Sequence, residues 1–252
     1  MNNASVSDKM VVVFGASGFL GSHVADALSG AGYQVRLFDH ISSPYQRIDQ
    51  EMIVGDIMDI DQVIEATRGA HAVYNFAAIA DIDEAHNKPV ATATINVLGN
   101  MHVLEAARIA GANRFVFASS VYVYSESGSF YRASKQAAER FTETYHDRYG
   151  LDYTILRYGS LYGRRADLRN GIYRMLHEAI QKHSITYHGS GNAMREYIHV
   201  EDAARMSVQV LSPEFANRHL ILTGQERMRI RDVMTMISEI MPWNVELHFE
   251  EA

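Results

Sequence analysis

Apolar and polar positions along this chain follow two rhythms, and each switch between them marks an element. Met10-Val-Val-Val-Phe14 is a short unbroken apolar run rich in β-branched residues, the pattern of a strand buried on both faces. Residues 23–28 then take helical spacing. The pairing recurs: Gln34-Val-Arg-Leu-Phe-Asp39 reads as a strand, Met52-Ile-Val-Gly-Asp56 as another with residues 59–67 helical behind it, and residues 71–78 as a fourth. Residues 114–118 and 152–157 bring the strand-like runs to at least six, most of them separated by helices. That order predicts an α/β fold, a doubly wound and mostly parallel sheet with helices on both faces. Beyond Tyr158 the alternation loosens: residues 170–181 and 200–211 look helical, 185–187 and 219–222 extended. We expect a main domain over residues 1–158 and a small C-terminal lobe over 159–252, interleaved with the last strands of the sheet.

Two helical stretches carry more apolar surface than one sheet face can bury. Along residues 90–110, Ile95, Val97, Leu98, Met101, Val103, Leu104 and Ile109 point nearly all round the helix. Residues 131–149 add a stripe at Ala137, Phe141, Tyr145 and Tyr149. A second surface has to cover the remainder, which predicts a homodimer.

Composition narrows the picture. With 252 residues the chain can bury a large core as one domain with a small appended lobe. Hydrophobic residues at 47% and charged residues at 21% place it with folded globular proteins rather than disordered ones. A net charge of −7 argues against a nucleic-acid partner. The chain has no cysteine, which removes disulfides and thiolate metal sites, and its 12 histidines are scattered without ligand spacing, so no metal is expected. No apolar run approaches the ~18 residues that span a bilayer, and residues 1–9 hold no signal-peptide core. The expectation is a cytoplasmic protein with no membrane partner.

The candidate chemistry lies where predicted strands end. Gly15-Ala-Ser-Gly18-Phe-Leu-Gly21 sits between the first strand and the first helix, where glycines allow a tight turn, close approach of backbone to a pyrophosphate and close helix packing, with the phosphate at the positive end of the helix. Asp39 ends the second strand 18 residues past Gly21, near the distance at which a carboxylate takes the adenosine ribose hydroxyls. It would repel a 2′-phosphate, favouring NAD over NADP. Asp56 could hold the adenine amino group or cap the following helix, and both readings stay open. The small residues Ala77 and Ala78 let a dinucleotide lie across the strand ends. Tyr131 and Lys135, four apart on a predicted helix, leave it on one face; a nearby ammonium favours a phenolate, and Ser120 stands ready to hydrogen-bond the oxygen that Tyr131 deprotonates. In the lobe, Arg164, Arg165, Arg169 and Arg195 fall in or beside loops where a diphosphate could be met.

With these residues in place the sequence resembles the extended short-chain dehydrogenase/reductase family, in particular its nucleotide-sugar epimerases and dehydratases, from about residue 9 to 249. The matching elements are the glycine turn, Asp39, Val54-Gly-Asp-Ile57, Asn75-Phe-Ala-Ala78, Asn96-Val-Leu-Gly99, Ser119-Ser120, Tyr131-x-x-x-Lys135, Leu156-Arg-Tyr-Gly-Ser-Leu-Tyr-Gly163 and Arg195-Glu-Tyr-Ile-His-Val-Glu-Asp-Ala203. The resemblance implies a Rossmann domain with a substrate-binding lobe. It implies NAD held by Gly15, Ser17, Gly18, Phe19, Leu20, Asp39, Asp56, Ile57, Phe76, Ala77, Ala78, Tyr131, Lys135 and Tyr158. Tyr131 is then the acid/base, Lys135 binds the nicotinamide ribose and lowers the tyrosine pKa, and Ser120 binds the reacting sugar oxygen. Ser160, where the family commonly has asparagine, and Arg195 meet a nucleotide-diphosphate sugar.

Departures from the family pattern sharpen the expected activity. Val121-Tyr122 stands where sugar dehydratases carry an Asp-Glu pair, so water elimination lacks its usual acid and base, and the decarboxylating members' glutamate is missing too. Residues 121–130 are fewer than the family usually has there, and the sequence ends at Ala252, before a segment that in many relatives adds substrate contacts. The expected function is an NAD-dependent nucleotide-sugar epimerase acting at sugar C4 through a keto form. The alternatives are an NAD(P)-dependent ketosugar oxidoreductase and a non-catalytic NAD-binding regulator.

Overall fold

The computed structural model describes residues 6–250, and the first nine residues fall partly outside that range. It clusters into two compact units: Met1–Tyr158 with Ala204–Ile221, and Gly159–Ala203 with Leu222–Ala252. In chain order the first unit supplies β1 (Met10–Phe14), α1 (Phe19–Gly30), β2 (Gln34–Asp39), β3 (Gln50–Val54), α2 (Ile60–Thr67), β4 (Ala72–Asn75), α3 (Ile82–Asn87), α4 (Pro89–Ala93), α5 (Asn100–Ile109), β5 (Arg114–Ser120), α6 (Ser129–Tyr149) and β6 (Tyr153–Tyr158). Then come β7 (Ser160–Tyr162), α7 (Gly171–Lys182), β8 (Ser184–His188) and β9 (Met194–His199) of the second unit. The chain continues with α8 (Val200–Gln209) and β10 (Arg218–Leu222), and ends with β11 (Arg227–Arg229), α9 (Ile230–Ile240) and β12 (Glu246–Glu250).

Seven strands form the main sheet in the order β10-β6-β5-β4-β1-β2-β3. Strands β1 to β6 pair in parallel, β1 with both β2 and β4. The strand order therefore reverses between β1 and β4, the place where open α/β sheets leave a crevice at their carboxyl ends. The fully apolar β1 lies at that switch, with Val11, Val12, Val13 and Phe14 all buried. The doubly wound sheet matches the sequence expectation, with shifts at several ends: β3 stops at Val54 before Gly55-Asp56, β4 stops at Asn75, and β5 runs on through Ser120.

The stretch expected as one helix over 90–110 is interrupted. α4 passes into a π-helical turn, Thr94–Gly99, before α5. The turn keeps Asn96 and Gly99 buried. Within α5, Val103, Leu104, Ala106 and Ala107 pack into the core with Phe115, Phe117 and Ile155. Val90, Leu98 and Ile109 remain exposed, as do Phe141 and Tyr149 on α6.

The second unit has its own core, made by Met175 and Ala179 of α7, Ile185 of β8, and Ile230, Val233, Met234 and Ile237 of α9. Its strands form a three-stranded sheet, β11-β9-β7, and a parallel pair, β12 with β8. The sequence reading missed α9, although its apolar residues recur at positions 230, 233, 234 and 237.

Packing at the first glycine leaves no room for a side chain. Gly15 has φ of +76°, and a Cβ there would sit 2.5 Å from the Ala77 nitrogen and 2.6 Å from the Phe76 carbonyl carbon. A Cβ on Gly21 would lie 2.2 Å from the Gly15 oxygen, which is how α1 comes so near β1. Gly30, at the far end of α1, has open space around it. Gly15→Ala should therefore lower the unfolding free energy by more than about 2 kcal/mol, whereas Gly30→Ala should be neutral or stabilising by up to about 1 kcal/mol. Denaturant titration of the two variants checks the contrast, and equal effects would contradict it.

Candidate active site

The glycine turn, Asp39, Ala77, Ala78, Ser120, Tyr131 and Lys135 all belong to the first unit, at or beside the carboxyl ends of its strands. The Gly15 N–H donates to the Phe38 carbonyl at 2.9 Å and the Gly18 N–H to that of Gly15 at 3.2 Å, closing the turn over β1 and β2. Helix α1 starts at Phe19 with Gly18 as its cap and no side chain on its first amides. No acidic residue lies in its first turn, so its positive end is not neutralised from within the helix. Phe19 and Leu20, half-buried, open the helix.

Asp39 is 8% exposed. Its Oδ2 accepts the Ser17 amide at 2.9 Å, its Oδ1 lies 2.8 Å from His40 Nδ1, and the Ser17 hydroxyl donates to the Ile41 carbonyl. A carboxylate has about four acceptor positions, so capacity remains for a pair of hydroxyls. A glycine turn too close-packed for a Cβ at Gly15 or Gly21, a helix start with no side-chain cap and the fixed carboxylate together fit a dinucleotide.

Of the two readings of Asp56, the cap belongs to another residue: Asp59 Oδ1 accepts the amides of Asp61 and Gln62. Asp56 instead closes a short turn on the Met58 amide at 2.9 Å and stays exposed beside buried Ile57. The Phe76 amide donates to Phe14 and that of Ala77 to Asn75 Oδ1. Tyr158 turns inward, its hydroxyl 2.6 Å from Ser207 Oγ and its ring 6.4 Å from that of Phe76. Burial pushes its phenol well above the ordinary value.

Ser120 ends β5, Tyr131 opens α6 and Lys135 follows one turn later, so strand and helix bring the three together. The Ser120 hydroxyl lies beside the Tyr131 phenol, where it favours the phenolate, and accepts the Tyr122 amide at 3.3 Å. Lys135 is 4% exposed. Its Nζ donates to the Ala118 carbonyl at 2.7 Å and lies 4.9 Å from the Phe117 ring centroid and 5.7 Å from that of Tyr131.

The electrostatics differ from the sequence expectation. Burial pushes the Tyr131 phenol up to about 12, outweighing the hydrogen bond from Ser120. Burial also takes the Lys135 ammonium down to about 8, against the Glu139 carboxylate, which holds it up. Burial outweighs the pull of Lys135 on Tyr131, the ammonium being aimed at a strand carbonyl while desolvation acts on both groups.

In the second unit Ser160 opens β7 opposite Tyr197 of β9, and Arg195 lies on β9 opposite Met228 of β11. Arg195 donates to the Met194 carbonyl at 2.9 Å and is half-buried. Of the loop arginines, Arg164 is exposed, Arg165 has φ of +65°, and Arg169 is forked onto Asp167 at 2.5 Å and 3.0 Å. No group of His, Asp or Glu side chains among the described residues could hold a metal, and no helix there is long and apolar enough to cross a membrane.

Two groups of residues were given no role by the sequence reading, although Asn96 and Arg157 lie in its matching elements. Asn96, in the π turn, donates to the Ile79 carbonyl at 3.0 Å and to Ser134 Oγ at 2.9 Å and accepts the Ile79 amide at 2.8 Å. A buried asparagine in an otherwise apolar helix was the available signal. Glu139 and Arg157 form a buried pair behind Lys135, and the signal was an acid four residues past the lysine on the same helix face.

The model of the family described as NAD dependent epimerase/dehydratase matches residues 11–221. A Methanocaldococcus jannaschii protein named as a candidate UDP-glucose 4-epimerase is 30% identical over 225 residues, which are 81% of this chain and 73% of that one. The UDP-glucose 4-epimerase of Mycolicibacterium smegmatis is 29% identical over 228 residues, 80% of this chain and 73% of its own. Among solved structures, the Thermus thermophilus UDP-glucose 4-epimerase complexed with NAD superposes with a TM-score of 0.88 at 25% identity, covering 96% of this chain and 86% of that one.

The buried ammonium gives a pH-dependent test. In the cofactor-free protein Lys135 titrates near 8 rather than 10.5, so the unfolded chain holds the proton more tightly. Stability then rises with pH between those values, and below about 8 the cost of the buried charge is fully present. Lys135→Met should stabilise the cofactor-free protein at neutral pH by about 1–3 kcal/mol, less as pH rises toward 10.5. Denaturant midpoints across that range check it; a destabilised variant at neutral pH would count against an uncompensated charge.

Proposed function

Because the chain belongs to the NAD dependent epimerase/dehydratase family, we propose that it inverts the C4 hydroxyl of a nucleoside-diphosphate hexose, using NAD within one active site. The observation that carries this reading is the pairing of Ser120 with Tyr131, Lys135 beside them, next to a glycine cradle and a fixed Asp39 carboxylate. Its sugar-nucleotide relatives support the substrate class, the 4-epimerases of M. smegmatis and T. thermophilus being named for UDP-glucose. Val121-Tyr122 after Ser120 leaves no carboxylate pair there for water elimination.

In this reading residues 1–158 bind the dinucleotide and residues 159–252 the sugar nucleotide. Gly15, Ser17, Gly18, Phe19 and Leu20 receive the pyrophosphate, Asp39 the adenosine ribose, Asp56 and Ile57 the adenine, and Phe76, Ala77, Ala78 and Tyr158 line the route to the nicotinamide. NAD, when bound, supplies a reversible hydride acceptor and one positive charge. Ser120 donates to the reacting sugar oxygen while Tyr131 takes its proton, and Lys135 and the added charge favour the phenolate that burial alone opposes. The hydride that the same carbon would give up to NAD would return on the other face of the turned keto sugar as Tyr131 gives back the proton. Ser160 and Arg195 hold the substrate, with the arginine fork suited to a diphosphate.

We place the reaction in the cytoplasm, in a homodimer built from the outer faces of α4, α5 and α6. Supporting the dimer, Val90 is 78% and Tyr149 54% exposed, with Leu98, Ile109 and Phe141 also uncovered. Light scattering at micromolar concentration should give twice the chain mass for the wild type and a single chain for Phe141→Glu; a monomeric wild type would refute it.

The mechanism is tested by Tyr131→Phe and an isotope. That variant should keep its fold and NAD while losing roughly 10²–10⁴-fold in rate. Deuterium at the reacting carbon should remain in the product. Label appearing in added cofactor would point to an oxidoreductase that releases its cofactor each turnover, and an unchanged rate in Tyr131→Phe would remove the base on which the proposal rests.

A further inference from the structure

Behind the Ser120–Tyr131–Lys135 set lies a second cluster of polar side chains, for which the mechanism above has no use. Glu139, one turn beyond Lys135 on α6, is a carboxylate only 6% exposed. Its Oε1 accepts the Ser119 hydroxyl at 2.5 Å and Arg157 Nε at 2.9 Å, and its Oε2 accepts Arg157 Nη2 at 2.6 Å. Ser119 precedes Ser120 on β5, so its side chain leaves the opposite face of the sheet, and Arg157 is its register partner on β6. Arg157 also donates to the Tyr124 hydroxyl, in the 3-10 turn Val121–Tyr124 that follows Ser120, and to His219 Nδ1 at 2.8 Å on β10. A guanidinium only donates, so His219 Nδ1 is the bare acceptor of a neutral ring, and its Nε2 proton faces Glu143 Oε1 at 3.0 Å.

The cluster therefore joins α6, β5, β6, β10 and the turn after Ser120 at one buried carboxylate. A buried ion pair of this kind is weak evidence for stability, since desolvation offsets much of its attraction. Its position gives it another use. The groups packed around the Lys135 end of α6 are Tyr131 and Glu139 on the helix itself, Ser119 with the Ala118 carbonyl on β5, Arg157 on β6, Tyr124 on the turn, and His219 on β10. Among them Glu139 is the only anion beside the ammonium on its own helix face; Arg157 is the only permanent cation, and Glu143 faces His219.

We propose that Glu139 is a positioning residue for the reaction, holding Lys135 in its ammonium form and fixing the Ser119–Ser120 strand end against α6, with Arg157 setting how much of the carboxylate's charge the lysine feels. This rests on the reading of Tyr131 and Lys135 given above. Burial alone takes Lys135 toward neutrality near physiological pH, with the Glu139 charge opposing it. Removing that charge lets the ammonium lose its proton at lower pH, and removing Arg157 leaves the carboxylate's full field on the lysine. The two variants thus move Lys135 in opposite directions, which a purely structural role for the pair would not do.

The test is a lysine NMR titration of the purified holoenzyme with labelled lysine, the Lys135 resonance identified by its loss in Lys135→Met, together with the pH dependence of kcat. Glu139→Gln should lower the Lys135 midpoint by about one pH unit and bring down the alkaline limb of kcat with it, at little change in KM; Arg157→Met should raise both. Glu139→Asp, which keeps the charge, should restore most of the midpoint. Should Glu139→Gln fail to fold, the direction of the Arg157→Met shift decides the matter. A midpoint unmoved in the soluble variants, or moved the same way in both, overturns the inference. Full activity in Tyr131→Phe would instead sink the reading of the reaction, leaving the Lys135 midpoints to report on Glu139 independently.

Discussion

A single ammonium group held out of water sets the terms for the rest of the first unit. Lys135 has one strand carbonyl, an aromatic face and a carboxylate one turn away as its surroundings. For its Nζ to reach the Ala118 oxygen, α6 must lie close along the end of β5, and the small side chains of Ala118 and Ser119 leave room for that approach. The same closeness puts Tyr131 against Ser120 and leaves it half-buried, so the arrangement that gathers the chemical groups also works against the charged form of each. In isolation such a site is a liability to the fold. It makes sense as a place built to receive a hydroxyl-bearing ligand, with the protein's own groups held in waiting.

Much of this was legible in the residues because the signals were local. A β-branched run followed by three glycines leaves few conformations for residues 10–21, and the structure adopts the strand, turn and helix that the pattern predicts. Tyr131 and Lys135 share a helix face because helical geometry alone decides it. What the sequence could not convey was balance. The sign of the shift at Tyr131 depends on how deeply the phenol is buried and on where Nζ points, which are tertiary facts, and the inference from spacing gave the ammonium an influence that Ala118 diverts. Asp56 shows the converse: an acid before a helix has two readings, and the choice turned on Asp59 three residues later.

The elements that escaped prediction were those whose partners are far apart in the chain. The Glu139–Arg157 pair spans 18 residues and His219 lies 62 beyond Arg157, so no window of sequence contains the cluster. In the second unit, short strands such as β7 and β11, three residues each, offer too few positions for alternation to register. The apolar excess on the long helices was read correctly as an excess, and the structure locates it on Val90, Leu98, Ile109, Phe141 and Tyr149.

The π turn at Thr94–Gly99 carries a consequence of phase. A π turn is an α-helix with one residue inserted, and each residue of α-helix advances the side chains by about 100°. Because of that insertion α4 and α5 do not share one helical count: the face that Val90 presents is out of step with the face that Val103 and Ala107 bury. Asn96 sits at the slip, with both ends of its amide occupied by Ile79 and Ser134. Three segments, the loop after β4, the outer helix and the start of α6, are in this way indexed to one side chain. A lineage that lost a single residue here would keep a helix, but with α4 rotated by over a quarter turn and the amide withdrawn from the residue next to Lys135.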